Sequence, residues 1–235
     1  MTLERIDGQR KLGLLSSVGY YGEEDAFAIR GELYGQILGE VDPVTSFGAY
    51  GHIALSMHWG EYDSNAALHA LQLGAFYLAR FDSGDFVLHG GVIAPTGSGG
   101  GATLDRNYDL LCAGPETTAL KLGATLHQRL GSHAFLQGDV AVDLELDVPG
   151  DNTEVYHANL GVGVDVGSHN ALLGEVATAF FNDYKVASLG LSLLFLAPPH
   201  PHIGYIMAFV DEPGDYGDGV VAHIVSFGLY TSFDP

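Results

Sequence analysis

The stretch Ala134–Val148, AFLQGDVAVDLELDV, decides the fold. Along an extended chain Ala134, Leu136, Val140, Val142, Leu144, Leu146 and Val148 fall on one face. Gln137, Asp139, Asp143, Glu145 and Asp147 fall on the other. Side chains of a strand alternate between faces, whereas a helical period would scatter these residues around the axis. The stretch therefore predicts a long strand with one apolar and one acidic face.

The same alternation recurs on both sides of it. Leu120, Leu122, Ala124 and Leu126 oppose Lys121, Thr125, His127 and Arg129. Tyr156, Leu160, Val162, Val164 and Val166 oppose His157, Asn159 and Asp165. Nearer the start, Phe27, Ile29, Leu33 and Ile37 oppose Arg30, Glu32, Tyr34 and Gln36, and Phe47, Ile53, Leu55 and Met57 oppose Ser46, His52, Ser56 and His58. Turn residues punctuate the pattern, which predicts about twelve strands near 10–21, 26–39, 46–59, 66–81, 85–95, 118–131, 134–148, 154–167, 170–181, 185–197, 202–210 and 220–233. No segment has a convincing helical period, and nothing reads as a linker. The expected organisation is a polar segment over 1–9 followed by one all-β domain over 10–235.

Composition agrees. Hydrophobic residues make up 47% of the 235, charged residues only 16%, and 33 glycines are too many for a helix-rich chain. Acids outnumber bases 29 to 9, a net charge of −20 that repels phosphate backbones and argues against nucleic acid as a partner. A single cysteine, Cys112, excludes a disulfide framework or a zinc ribbon. The opening Met1–Asp7 has neither a basic head nor an apolar stretch, which fits a cytosolic start or a chain whose leader has been removed.

Alternation alone does not say which face meets water. A soluble ligand-binding barrel hides its apolar face; a membrane barrel turns it to lipid. Three features favour lipid. The strands are about twice the usual soluble length. The polar face is poor in lysine. The connections also alternate in length: those around Asp82–Asp85, Gly131–His133 and Gly167–Asn170 are tight, while the stretch from Thr96 to Thr117 is long. Phe47, Phe81, Phe86, Phe195 and Phe233 at one set of apolar strand ends, and Tyr20, Phe27, Trp59, Tyr156 and Phe180 at the other, read as two aromatic girdles. The expected fold is a single antiparallel transmembrane β-barrel of about twelve strands, of the bacterial outer-membrane type and monomeric.

Two short motifs add a resemblance. Gly90-Gly91-Val92-Ile93-Ala94-Pro95-Thr96-Gly97 resembles the strand end of the outer-membrane barrels associated with the meta-pathway of phenol degradation. Asn159-Leu160-Gly161-Val162-Gly163, followed by Ala171-Leu172-Leu173-Gly174-Glu175-Val176, is similar to a later hairpin of that family. The resemblance implies a transporter-like barrel for small, often aromatic or hydrophobic compounds. Such barrels usually end on an aromatic residue, whereas Phe233 here is followed by Asp234 and Pro235.

By parity the candidate lumen and substrate path comprises Arg30, Glu32, Tyr34, Tyr50, His52, His89, His127, Arg129, Asp139, Asp143, Glu145, Asp165 and Glu175. The acids among them, with Asp147, could attract cations to a narrow acidic lumen. Arg30, Arg80, Lys121 and Arg129 share the face and could instead bind the acids into a structural lattice. The eleven histidines show no metal-ligand spacing; His200 and His202 sit together in a turn, and polar lumen filler is the expected role. Ser56 and His58 share a face, but no Gly-x-Ser-x-Gly elbow exists, so no catalysis, metal or cofactor is expected. Gly97–Gly101 lacks the lysine of a phosphate loop and reads as part of a loop that could narrow the mouth; Asp211, Glu212, Asp215 and Asp218 read as a solvated acidic turn. The function expected is a channel or transporter passing small molecules, either hydrophobic or aromatic compounds or cations, with lipid as its surroundings. The alternatives are a soluble ligand-binding barrel and a plugged barrel with a structural or lipid-hydrolysing role.

Overall fold

The computed structural model describes residues 9–21, 26–59, 64–96, 118–146, 153–180, 185–211 and 220–233. Thirteen β-segments run in chain order: β1 (Lys11–Tyr21), β2 (Ala26–Asp42), β3 (Thr45–Trp59), β4 (Ser64–Leu68), β5 (Leu71–Phe81), β6 (Gly84–Ala94), β7 (Ala119–Arg129), β8 (Ala134–Glu145), β9 (Thr153–Asp165), β10 (Asn170–Phe180), β11 (Lys185–Phe195), β12 (Pro201–Asp211) and β13 (Val220–Ser232). Each pairs antiparallel with its neighbours, and β1 pairs with both β2 and β13, so the sheet closes on itself. β4 and β5 both pair with β3 and together fill one place in the wall, giving an all-β, closed antiparallel barrel of twelve strands. Closure removes the unpaired edges that a long sheet would otherwise present.

The expected single strand over 66–81 is broken. Leu68 faces Leu55 and Gln72 faces His52, so three residues of one chain oppose two of the other, a β-bulge at His69–Leu71. His69 and Ala70 consequently both turn inward, and parity flips between β4 and β5. The backbone groups freed by the bulge are met by Thr96, whose Oγ1 accepts from the Leu71 N–H at 2.9 Å and donates to the His69 carbonyl at 3.4 Å. The Pro95-Thr96 turn thus clasps the bulge from the end of β6. Thr96→Val removes both bonds, and the expected loss is about 1 kcal/mol of stability, read as a lower urea midpoint of the refolded barrel.

Five connections at one end are short. In the first, Asp42 Oδ1 accepts from the Val44 N–H at 2.9 Å across Pro43, which carries β2 three residues past the expected stop at 39. Gly131 and Gly167, at φ of 77° and 73°, take the left-handed turn positions between β7 and β8 and between β9 and β10. The described chain begins and ends here too: Phe233 N–H donates to the Arg10 carbonyl at 2.8 Å. β7 and β8 stop two or three residues earlier than expected.

The apolar face points outward throughout. Leu122, Val140, Leu160 and Phe227 are each more than half exposed, and so are many other large hydrophobics among the described residues. Apolar surface of this extent marks contact with hydrocarbon rather than water. An eleven-residue strand is about 36 Å long and, tilted as barrels require, spans about 28 Å. Phe47, Phe81, Phe86 and Phe233 are exposed near the short-turn end, and Phe27, Trp59, Tyr156 and Phe180 near the other; Phe195 is partly buried.

Candidate functional site: the barrel lumen

Alternation fixes what faces inward, and register fixes what meets there. Arg30, Glu32 and Tyr34 are successive inward positions of β2. His52, the β3 partner of Tyr34, places Nε2 2.9 Å from Glu32 Oε2, while Arg30 Nε lies 2.9 Å from Glu32 Oε1. All three charged or titratable groups are at least 93% shielded. Tyr34 donates to Gln36 Oε1 at 2.6 Å.

Across the lumen a second cluster is built on β6 to β10. Lys121 faces Asp143 directly in the β7–β8 register, with Nζ 3.4 Å from the carboxylate, and His157 of β9 reaches the same carboxylate at 3.0 Å. Thr125 donates to Asp139 at 2.7 Å. His89 on β6 reaches Asp139 on β8 at 3.4 Å, two strands away, because the residue between them, Gly123 on β7, has no side chain. Gln137 likewise passes over Gly161 to Glu175 on β10, at 3.5 Å, and Asn159 donates to the same carboxylate at 3.4 Å. Charges held in so little water remain only where partners satisfy them.

Of the remaining sequence-derived residues, Tyr50 touches both clusters, packing with Tyr34 and edge-on to His89 at 6.2 Å, and the others lie apart from them. Arg129 donates to Asp165 at 2.6 Å at the short-turn rim, where its side chain is 43% exposed. His127 lies 3.7 Å from Asp85. Glu145 is buried on the inward face of β8, and Tyr50 packs in an apolar cluster with Tyr34, Leu38, Phe76, Leu78 and Val87. Asp147, the side chain of His58, Cys112, the long connection after Thr96 and the acidic turn beyond Asp211 lie outside the described residues.

Several inward residues escaped the sequence reading. Lys11, 3% exposed, sits between the rings of Tyr34 and Tyr230 at 5.4 and 5.7 Å; its parity with Gly13 and Leu15 was the available signal. His202 belongs to the inward face of β12, and His200 stacks on Tyr230. Among the described residues no three His, Cys, Asp or Glu side chains form a metal-ligand group. Ser56 Oγ meets His69 Nε2 at 2.9 Å, where the β4 register carries His69 inward beside Ser56, and both residues are at most 2% exposed.

The wall formed by the later strands is different. Ala177, Ala179, Ser188, Ala208 and Ala222 are among its buried inward residues, alongside Val186 and His202.

No protein-family profile matches the sequence, and no curated protein sequence matches it either. Solved structures do match in fold. An outer membrane channel from Pseudomonas putida aligns over 97% of both chains with a TM-score of 0.72 at 10% identity. The CymD monoaromatic hydrocarbon channel aligns over all of this chain and 91% of its own, with a TM-score of 0.58 at 8% identity. The NanC porin aligns over 94% of this chain and all of its own, with a TM-score of 0.53 at 14% identity. At these identities the likeness is one of architecture: the chain has the fold of the outer-membrane β-barrels.

Proposed function

We propose that the protein is a monomeric, non-enzymatic channel that passes small uncharged or aromatic compounds across a bacterial outer membrane. The observation that carries this reading is the pairing of charge inside a closed barrel whose exterior is apolar. Arg30, Lys121 and Arg129 each lie against a carboxylate, and His52, His89, His127 and His157 lie against the same or other carboxylates. Charges paired in this way project a weaker field than bare ones, and small inward residues such as Ala208 and Ala222 add uncharged surface. Similarity in fold to a monoaromatic hydrocarbon channel supports the same class of cargo. The Ser56–His69 contact is read as structural, since a nucleophile needs substrate access that this buried pair does not offer.

A cation path is the second reading, favoured by the balance of charge. Among the described inward residues, Glu32, Asp85, Asp139, Asp143, Glu145, Asp165 and Glu175 outnumber Lys11, Arg30, Arg80, Lys121 and Arg129. Reversal potentials in planar bilayers under a salt gradient separate the two. The neutral-solute channel gives a small ionic current with weak selectivity. A strong cation preference that falls in Asp143→Asn with Glu145→Gln would replace it with the cation reading. Absence of both ion current and solute flux would leave a plugged barrel.

A further inference from the structure

Inward aromatic rings should obstruct so narrow a barrel, yet many of them lie flat against its wall. The register shows how. Phe76 faces Gly48, Tyr50 faces Gly74, and His89 faces Gly123 as direct cross-strand partners. Phe135 faces Gly163, and His202 faces Gly228, in the same way. A Cβ built on each of these glycines would meet the tip of the partner ring at 2.2, 2.4, 2.4, 2.0 and 1.6 Å respectively. The rings therefore occupy the space above their neighbours' bare backbone instead of reaching toward the axis, an arrangement that also shields the glycine.

We propose that these glycines are seats that set the bore and solute-size limit of the channel, by holding inward rings against the wall. The inference rests on the channel reading above. Two seats isolate the effect. At Gly163 the three nearest atoms to an added Cβ all belong to the Phe135 ring, and at Gly228 all three belong to His202. At Gly48, Gly74 and Gly123 a backbone carbonyl also stands within 3 Å, so an alanine there would strain the sheet itself. Along the wall Phe135 is hemmed in by Ala171, Leu173 and Leu194 and by His127 at 5.6 Å. A ring displaced from Gly163 has the axis as its remaining direction.

The test compares Gly163→Ala and Gly228→Ala with Gly31→Ala and Gly174→Ala. The last two positions face outward, and an added Cβ there meets nothing within 4 Å. Single-channel conductance and the largest solute admitted by liposomes are the readouts. Each seat variant is expected to lose about twofold in conductance and to exclude larger solutes, with the outward variants unchanged. Combining Gly163→Ala with Phe135→Ala should restore passage, because the ring is the obstruction. Seat variants that fold and conduct like the outward controls would overturn the proposal and leave the channel reading intact. If the wild-type barrel passes nothing, the channel reading falls and lumen access decides the inference. In a Cys112→Ser background, neutral thiol reagents of graded size should modify Ser188→Cys more slowly in the seat variants; equal rates would end it.

Discussion

Leu160→Arg is expected to cost about 2–4 kcal/mol of barrel stability in lipid vesicles, measured by denaturant titration of refolded protein. Leu160 lies near the middle of β9, points outward and is 55% exposed, so nothing in the protein can shelter a guanidinium there. The cost arises from placing an ion in hydrocarbon and should shrink for the same change near a girdle, as at Phe180. A soluble barrel would give the opposite result: an arginine on an exposed face would be close to neutral, and the protein would stay dispersed without detergent. The measurement thus addresses the environment of the apolar face independently of any transport assay.

The second large effect is inside. Glu32→Leu is expected to destabilise the barrel by about 3–5 kcal/mol, because it leaves the Arg30 guanidinium in a shielded lumen without the carboxylate 2.9 Å away. Arg30→Met together with Glu32→Leu should recover most of that loss, since removing both charges removes the need for pairing. Arg129→Met at the rim provides the contrast: it also breaks an ion pair with a carboxylate, but its side chain is 43% exposed, and the expected change is below about 1 kcal/mol. Equal costs for Glu32→Leu and Arg129→Met would show that the lumen is far wetter than the burial of Glu32 suggests.

These contrasts follow from parts of the molecule that differ in how legible they were in the sequence. Period-two alternation is a local property, so the inward position of Asp139, Asp143 and His157 and the outward position of Val140 and Leu160 could be read directly. The strand count followed from the turns. The break at His69–Leu71 could not be read, because Ser64–Leu73 contains no proline or glycine to mark it, and the bulge is stabilised by Thr96 from another hairpin. Contacts that span two strands were hidden for a related reason. His89 reaches Asp139 only because Gly123 stands between them, a fact of register that no single strand contains. Lys11 lies within the strand expected over 10–21 and was legible by parity, but its place between Tyr34 and Tyr230 depends on the register with β2 and β13.

The seam of the barrel has a consequence for how the molecule comes into being. Lys11 faces Ser232 and Tyr21 faces Ala222, so the rungs that close the wall join the first and last described strands. Hairpins such as β7–β8 can form from neighbouring residues, but these rungs close a loop that takes in every other strand of the barrel. Until they form, β1 and the last strand laid down are open edges with unmet hydrogen-bonding groups, which hydrocarbon tolerates poorly. Partial versions of this wall are therefore not smaller barrels but adhesive sheets. The arrival of Val220–Ser232 turns a ribbon that could pair with any neighbouring chain into a ring that pairs only with itself.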